Sequence, residues 1–148
     1  MWLAQVVPAG PSDMVSRMLA AWGLMAFCVI VHATGVTSAV GWLRRHEAPQ
    51  DRLGSWLWLF VRLSGWIVLL HVIEITAWAL VYAGGGAMPG LQPALYFSAV
   101  TYTTTGYGDL VLPEGWQLVG AIEALTGILM CGWSTGFFFA IVSRMHKR

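Results

Sequence analysis

Three long apolar segments constrain the fold of this chain more than any other feature of its sequence. They cover residues 18–43, 56–83 and 115–142. The first contains 26 residues without a charge, and a helix of that length is about 39 Å long, enough to cross a bilayer with some tilt. Only 10% of the residues are charged, against about 25% in an ordinary soluble domain. We therefore expect an all-α membrane protein with three transmembrane helices, and neither a disordered chain nor a nucleic-acid partner.

A polar loop separates the first two apolar segments. Residues 44–55 are the most polar part of the chain, and Arg62 interrupts the apolar run that follows. Residues 56–62 fit two interpretations: an interfacial helix on the membrane surface, or the first turns of the second span with Arg62 extending to the headgroups. We therefore divide the chain into an N-terminal extracellular segment (1–17), an additional first span (18–43), a cytoplasmic loop with this helix (44–62) and the remainder (63–148).

The basic residues predict an orientation in the membrane. Seven of the eight lie in the loop after the first span or at the C-terminus: Arg44, Arg45, Arg52, Arg62, Arg144, Lys147 and Arg148. Because Lys and Arg accumulate on the cytoplasmic side, we expect the N-terminus outside and the C-terminus in the cytoplasm. Residues 84–115 then open to the exterior. The apolar run 93–103, with Pro93 at its first helical position, is too short to span and predicts a re-entrant helix. The small basic chain indicates a prokaryotic inner (plasma) membrane.

The segment Thr103–Asp109, TTTGYGD, follows this short helix directly. With a span on each side, it resembles the selectivity filter of the potassium channel pore family over about residues 63–142. The resemblance implies an outer helix, a pore helix (93–103), a filter (104–109) and an inner helix (115–143). Because each chain supplies one quarter of a filter in this family, it also implies a homotetramer in the lipid bilayer.

The resemblance assigns the binding of permeant K⁺ to backbone carbonyl groups. The residues concerned are Thr104, Thr105, Gly106, Tyr107 and Gly108. A dehydrated cation needs oxygen dipoles in place of its water shell, and glycine accepts the positive φ that an alternating backbone requires. K⁺ is then the permeant ligand, and no cofactor is implied. The function implied is passive, selective conduction of K⁺, and not an enzyme activity.

Further residues are expected to support the filter: Thr103, Asp109, Tyr96, Phe97, Glu74 and Glu123. Tyr96 and Phe97 are expected to pack around Tyr107. Thr105 stands where Val or Ile is commonest in the family, and Val100 stands where some members carry a carboxylate that bonds the filter aspartate. Glu74 and Glu123 are hypothetical substitutes for that carboxylate.

Other intramembrane residues allow two interpretations each. His71 and Glu74 are three residues apart on one helix, which fits either a proton sensor or metal pair, or hydrogen-bonded groups between helices. Gly127 and Gly132 are candidate gating hinges, although close packing explains Gly127 equally well. The two cysteines, Cys28 and Cys131, lie in apolar runs and are expected to be buried free thiols.

Two alternatives to a potassium channel remain. One is a weakly selective cation channel, or a non-conducting pore-like subunit that regulates an unidentified partner. The other is an intramembrane enzyme or metal site built on His71, Glu74 and Glu123, but no nucleophile accompanies these residues in a recognisable motif.

Overall fold

The protein is described by a computed structural model that covers residues 11–46 and 53–145. Within those ranges every regular element is a helix, and no strand occurs. Four α-helices and one short 3₁₀ turn follow one another along the chain: α1 (Pro11–Arg45), α2 (Leu53–Gly84), α3 (Leu91–Tyr102), the 3₁₀ turn (Glu114–Trp116) and α4 (Gln117–Met145).

Three of these helices are long and apolar enough to cross a membrane: α1, α2 and α4. They contain 35, 32 and 29 residues. Residues 53–62 form the first turns of α2 rather than a separate interfacial helix. The Arg62 guanidinium lies 4.4 Å from the centre of the Trp42 ring on α1, so its long side chain packs against an aromatic face. Residues 47–52 of the predicted loop lie outside the described residues, as do residues 1–10 of the predicted N-terminal segment.

Helix α3 is the short helix between the second and third spans. Its 12 residues make about 18 Å of helix, which is too short to cross a bilayer. The helix begins at Leu91, two residues before the predicted start, and ends at Tyr102, one residue before the predicted end. Pro93 therefore lies inside the first turn, where a missing N–H breaks no intrahelical hydrogen bond.

Helix α1 packs against both α2 and α4, and α3 packs between α2 and α4. The Arg17 guanidinium lies 4.8 Å from the centre of the Trp116 ring, just before α4. Further along both helices, His32 contacts Ser134. Because early residues of α1 meet the start of α4 and later residues meet later ones, these two helices run in the same direction.

The helices bury a core around α3 and leave much apolar surface exposed. Trp78, Tyr82 and Tyr102 are fully or almost fully buried in this core. In contrast, large apolar side chains such as Trp58 and Phe139 are 69% and 73% exposed. That much exposed apolar surface requires lipid or other protein chains around the molecule. The expectation that both thiols are buried is half wrong: Cys28 is buried, but Cys131 is exposed, because the described helices leave its part of α4 uncovered.

Candidate functional site

The segment that joins α3 to α4 has an alternating backbone. Its φ angle is positive at Thr104 (58°), Gly106 (56°) and Gly108 (74°), and it is not positive at Thr105 or Tyr107. Such alternation allows the carbonyl groups of consecutive residues in an extended segment to point to one side. Glycine adopts a positive φ without steric cost, whereas a β-branched residue such as threonine is strained there. The positive φ of Thr104 is a feature that the sequence did not reveal.

Hydrogen bonds attach the beginning of this segment to the C-terminal end of α3. The backbone N–H groups of Thr105 and Gly106 both donate to the backbone oxygen of Val100, at 2.9 and 3.2 Å. The hydroxyl groups of Thr103 and Thr105 lie 2.9 Å apart, so the Thr105 hydroxyl has a partner. The side chains from 103 to 111 are exposed in the single chain, and Tyr107 is 71% exposed.

Asp109 holds the other end of the segment. The Tyr96 hydroxyl donates to its Oδ2 at 2.7 Å, and the backbone N–H of Leu110 donates to its Oδ1 at 3.1 Å. The hydrogen bond to Asp109 raises the pKa of the Tyr96 hydroxyl. Tyr96 thus provides the hydrogen-bond partner for Asp109 that the apolar side chain of Val100 cannot provide. Within this chain Phe97 meets Tyr82 edge-on, with ring centres 5.4 Å apart.

Glu123 joins three helices behind the middle of α3. Its buried carboxylate accepts a 2.7 Å hydrogen bond from the Tyr82 hydroxyl on α2 and another from the Ser98 hydroxyl on α3. The same Ser98 hydroxyl lies 2.9 Å from the backbone oxygen of Ile75. Because buried polar groups are costly when unpaired, this arrangement fixes the position of α3 between α2 and α4.

A closed ring of five polar side chains lies behind the C-terminal end of α3. Nδ1 of His32 is 3.0 Å from Glu74 Oε1, the Tyr102 hydroxyl donates to Glu74 Oε2, and Nδ1 of His71 is 3.3 Å from the Tyr102 hydroxyl. Ser134 completes the ring, because its Oγ is 3.1 Å from Nε2 of both histidines. We call these five residues the His–Glu ring. All four α-helices contribute to it.

Gly127 allows α4 to pass close to the same end of α3. A Cβ atom at this position would overlap the carbonyl group of Tyr102, at 2.7 Å from the carbonyl carbon and closer still to its oxygen. A Cβ at Gly132, the second candidate hinge, would meet nothing within 4 Å. Close packing within the chain therefore accounts for glycine at position 127 and not at position 132.

Both acidic candidates thus contact side chains of α3, although several of their partners could not be recognised from the sequence. Glu74 reaches Tyr102 and Glu123 reaches Ser98. His71 and Glu74 share the His–Glu ring, whereas Glu123 belongs to a separate group. The partners that the sequence analysis did not identify are His32, Ser134, Tyr82, Ser98 and Tyr102. A His within an uncharged span was a signal for the first, but single hydroxyl groups in apolar helices are too common to be one.

A comparison with known protein families matches residues 56–144 to a family described as "Ion channel". The match covers more than half of the chain and includes nearly all of α2, the whole of α3, the alternating segment and nearly all of α4. Helix α1 lies outside it. Searches among curated proteins and among solved structures found no match.

Proposed function

The chain belongs to the ion channel family, of the potassium channel pore type, and from this premise we propose that it conducts K⁺ selectively and passively across a membrane. The observation that carries the selectivity is the alternating backbone of residues 104–108, with positive φ at Thr104, Gly106 and Gly108. Backbone carbonyl groups that line a path at close spacing replace the hydration shell of K⁺. The residues that bind K⁺ in this proposal are Thr104, Thr105, Gly106, Tyr107 and Gly108.

Four copies of the chain assemble around the conduction path in this proposal. One chain supplies only one side of a coordination shell, and closed cyclic symmetry is the usual way to complete it. The exposure of the whole alternating segment in the single chain supports such an assembly. Exposed apolar residues along α4, among them Leu125 and Leu129 (63% and 59% exposed), supply further surface for contact between copies. Irregular backbone at membrane depth is tolerated where it is buried in protein or lines a water-filled path.

Helix α3 is the re-entrant pore helix of this arrangement. Its C-terminal end directly precedes Thr104, so the negative end of its dipole lies beside the inner mouth of the filter and favours a cation there. Tyr96 with Asp109 holds the filter at its outer end, while Glu123 and Glu74 hold α3 from behind. The distribution of basic residues supports an N-terminus outside, a cytoplasmic C-terminus and a location in the plasma membrane.

Cation flux into proteoliposomes that contain only this protein tests the proposal. We expect K⁺ and Rb⁺ to pass and Na⁺ to be excluded. Gly106→Ala should abolish the selective flux, because alanine is strained at φ of 56° and the carbonyl alignment is lost. Gly86→Ala is a matched control: Gly86 has φ of 71° and equally open space around a Cβ, but it lies in the turn after α2. It should retain selective flux.

Three outcomes would contradict the proposal. Equal K⁺ and Na⁺ flux would identify a weakly selective cation channel. Absence of flux from a verified oligomer, with the membrane potential and pH varied, would favour a non-conducting subunit that regulates a partner. Conduction by Gly106→Ala with unchanged selectivity would show that the alternating segment is not the filter.

A further inference from the structure

One arrangement of protons in the His–Glu ring satisfies every contact of Ser134 at once. Its Oγ lies 3.1 Å from Nε2 of His32, from Nε2 of His71 and from the backbone oxygen of Met130. A hydroxyl group has one proton to donate and two lone pairs that accept, whereas a carbonyl oxygen only accepts. All three contacts are satisfied together when Ser134 donates to Met130 and both Nε2–H groups donate to Ser134. In neutral imidazoles, both Nδ1 atoms then present lone pairs.

Those two lone pairs face the carboxylate of Glu74. Nδ1 of His32 is 3.0 Å from Oε1, and Nδ1 of His71 is 3.5 Å from Oε2. An ionised carboxylate also only accepts hydrogen bonds. His32 and Glu74 are fully buried, and the side chain of His71 is 17% exposed. The two Nδ1 lone pairs and the negatively charged carboxylate of Glu74 therefore converge in a site that water barely reaches. This arrangement is unfavourable without a cation among them.

We propose that His32, His71 and Glu74 bind a transition-metal dication of the Zn²⁺ class. One ligand atom from each of the three residues lies within 4.8 Å of the other two. Tetrahedral Zn²⁺ with bonds of about 2.0–2.1 Å requires ligand atoms about 3.3 Å apart, and the 3.0 Å between Nδ1 of His32 and Oε1 of Glu74 is close to this distance. His71 and Glu74 are three residues apart on α2, a spacing that turns both side chains to one face of the helix.

The surrounding hydrogen bonds suit this metal site. With both Nδ1 atoms bound to the metal, both Nε2–H groups donate to Ser134, and the Ser134 hydroxyl donates to Met130. Tyr102 donates to Oε2 of Glu74, which leaves Oε1 for the metal. Partners of this kind orient metal-bound histidines and carboxylates in proteins. No polar atom among these groups is then left without a partner.

The ligand atoms also distinguish this metal from the permeant ion. Imidazole suits Zn²⁺, Ni²⁺, Cu²⁺ and Fe²⁺, whereas K⁺, Mg²⁺ and Ca²⁺ prefer shells made only of oxygen. The bound dication would join α1 to α2, and through Tyr102 it would hold the end of α3 that immediately precedes the filter segment. The partly exposed His71 offers the route by which it binds.

Metal binding by the full chain, purified in detergent and stripped with a chelator, tests this proposal without any measurement of flux. Equilibrium dialysis against Zn²⁺ followed by elemental analysis should find one Zn²⁺ per chain. His71→Gln should lose this binding. Ser134→Ala keeps all three ligands and should weaken the affinity by about 10–100-fold, as loss of an orienting partner does. His46→Ala is the matched control, because His46 is exposed beyond the end of α1 and its Nδ1 contacts the backbone oxygen of Trp42.

A second measurement on the unmodified protein covers the case in which the ligand variants fail to fold. The X-ray absorption spectrum of the Zn²⁺-loaded chain should show scattering from two imidazole rings and no sulfur ligand. Thiolate ligation would assign the ion to Cys28 or Cys131 and overturn the proposal. Less than one Zn²⁺ per chain, or binding that His71→Gln leaves unchanged, would overturn it as well and would leave protons as the cations of the ring. Neither measurement depends on whether the protein conducts K⁺.

Discussion

The backbone of Gly127 lies against the carbonyl group of Tyr102, where a Cβ atom would come within 2.7 Å of the carbonyl carbon. This contact joins the middle of α4 to the last residue of α3. Because the alternating segment begins two residues after Tyr102, the distance between α4 and α3 also sets where that segment starts. This close contact is possible because glycine has no Cβ atom.

We therefore expect Gly127→Ala to destabilise the protein strongly. Overpacking of this kind costs about 1–3 kcal/mol or more, since either the helix or the carbonyl must move. Gly132→Ala is the control in the same helix, because its Cβ would meet nothing within 4 Å, and replacing glycine within a helix is otherwise favourable. Thermal unfolding in detergent, followed by tryptophan fluorescence, should give a lower midpoint for Gly127→Ala only. Equal midpoints for the two variants would contradict the close approach of α4 to Tyr102.

The broad architecture could be predicted because it depends on local composition. Apolar runs long enough to span a bilayer can be read directly from the sequence, and the described part of the chain contains three helices of that type. Their ends were less predictable, because α1 and α2 continue into residues whose polarity also suits a loop. Arg62 is an example: it lies well inside α2, where the ring of Trp42 accommodates its charge.

The polar partners behind α3 could not be predicted, because they are distant in sequence and carry no periodic pattern. His32 and Ser134 are 102 residues apart, and nothing in an apolar helix marks which of its hydroxyl groups will meet a histidine. Glu123 was recognisable as an intramembrane acid, but its partners Tyr82 and Ser98 depend on how three helices pack. Tertiary packing decides such pairs, and the sequence shows only that each acid needs some partner.

The hydrogen bond between Tyr96 and Asp109 should support selectivity more than stability. Tyr96→Phe removes the 2.7 Å bond, and among the described residues the backbone N–H of Leu110 remains as a donor to Asp109. We expect the ratio of Rb⁺ to Na⁺ flux in proteoliposomes to fall several-fold, because the outer end of the segment is then less restrained. Asp109→Asn retains an oxygen that accepts from Tyr96 and should preserve more of the ratio. An unchanged ratio in Tyr96→Phe would remove this bond from the filter supports.

The buried partners of Glu123 should contribute more to stability than exposed hydroxyl groups do. Tyr82→Phe leaves one carboxylate oxygen without its donor in a fully buried site, which costs about 1–3 kcal/mol. Tyr96→Phe is the matched control for stability, because Tyr96 is 42% exposed and water replaces its lost bond. Thermal unfolding should show a lower midpoint for Tyr82→Phe than for Tyr96→Phe. The reverse order would mean that the three-helix junction at Glu123 is not a main support of α3.

The final prediction separates backbone from side-chain contributions at the proposed filter. Thr105→Val introduces a residue of nearly the same shape at a position where φ is not positive, so the backbone has no reason to change. The substitution removes the 2.9 Å contact with the Thr103 hydroxyl, but Thr103 keeps its 2.7 Å bond to the backbone oxygen of Ala99. If carbonyl groups bind the ion, K⁺ selectivity in proteoliposomes should be retained within about a factor of two, since loss of one exposed hydrogen bond matters little. A complete loss of selectivity in Thr105→Val, comparable to that in Gly106→Ala, would mean that the threonine hydroxyl groups rather than the alternating backbone hold the selective geometry.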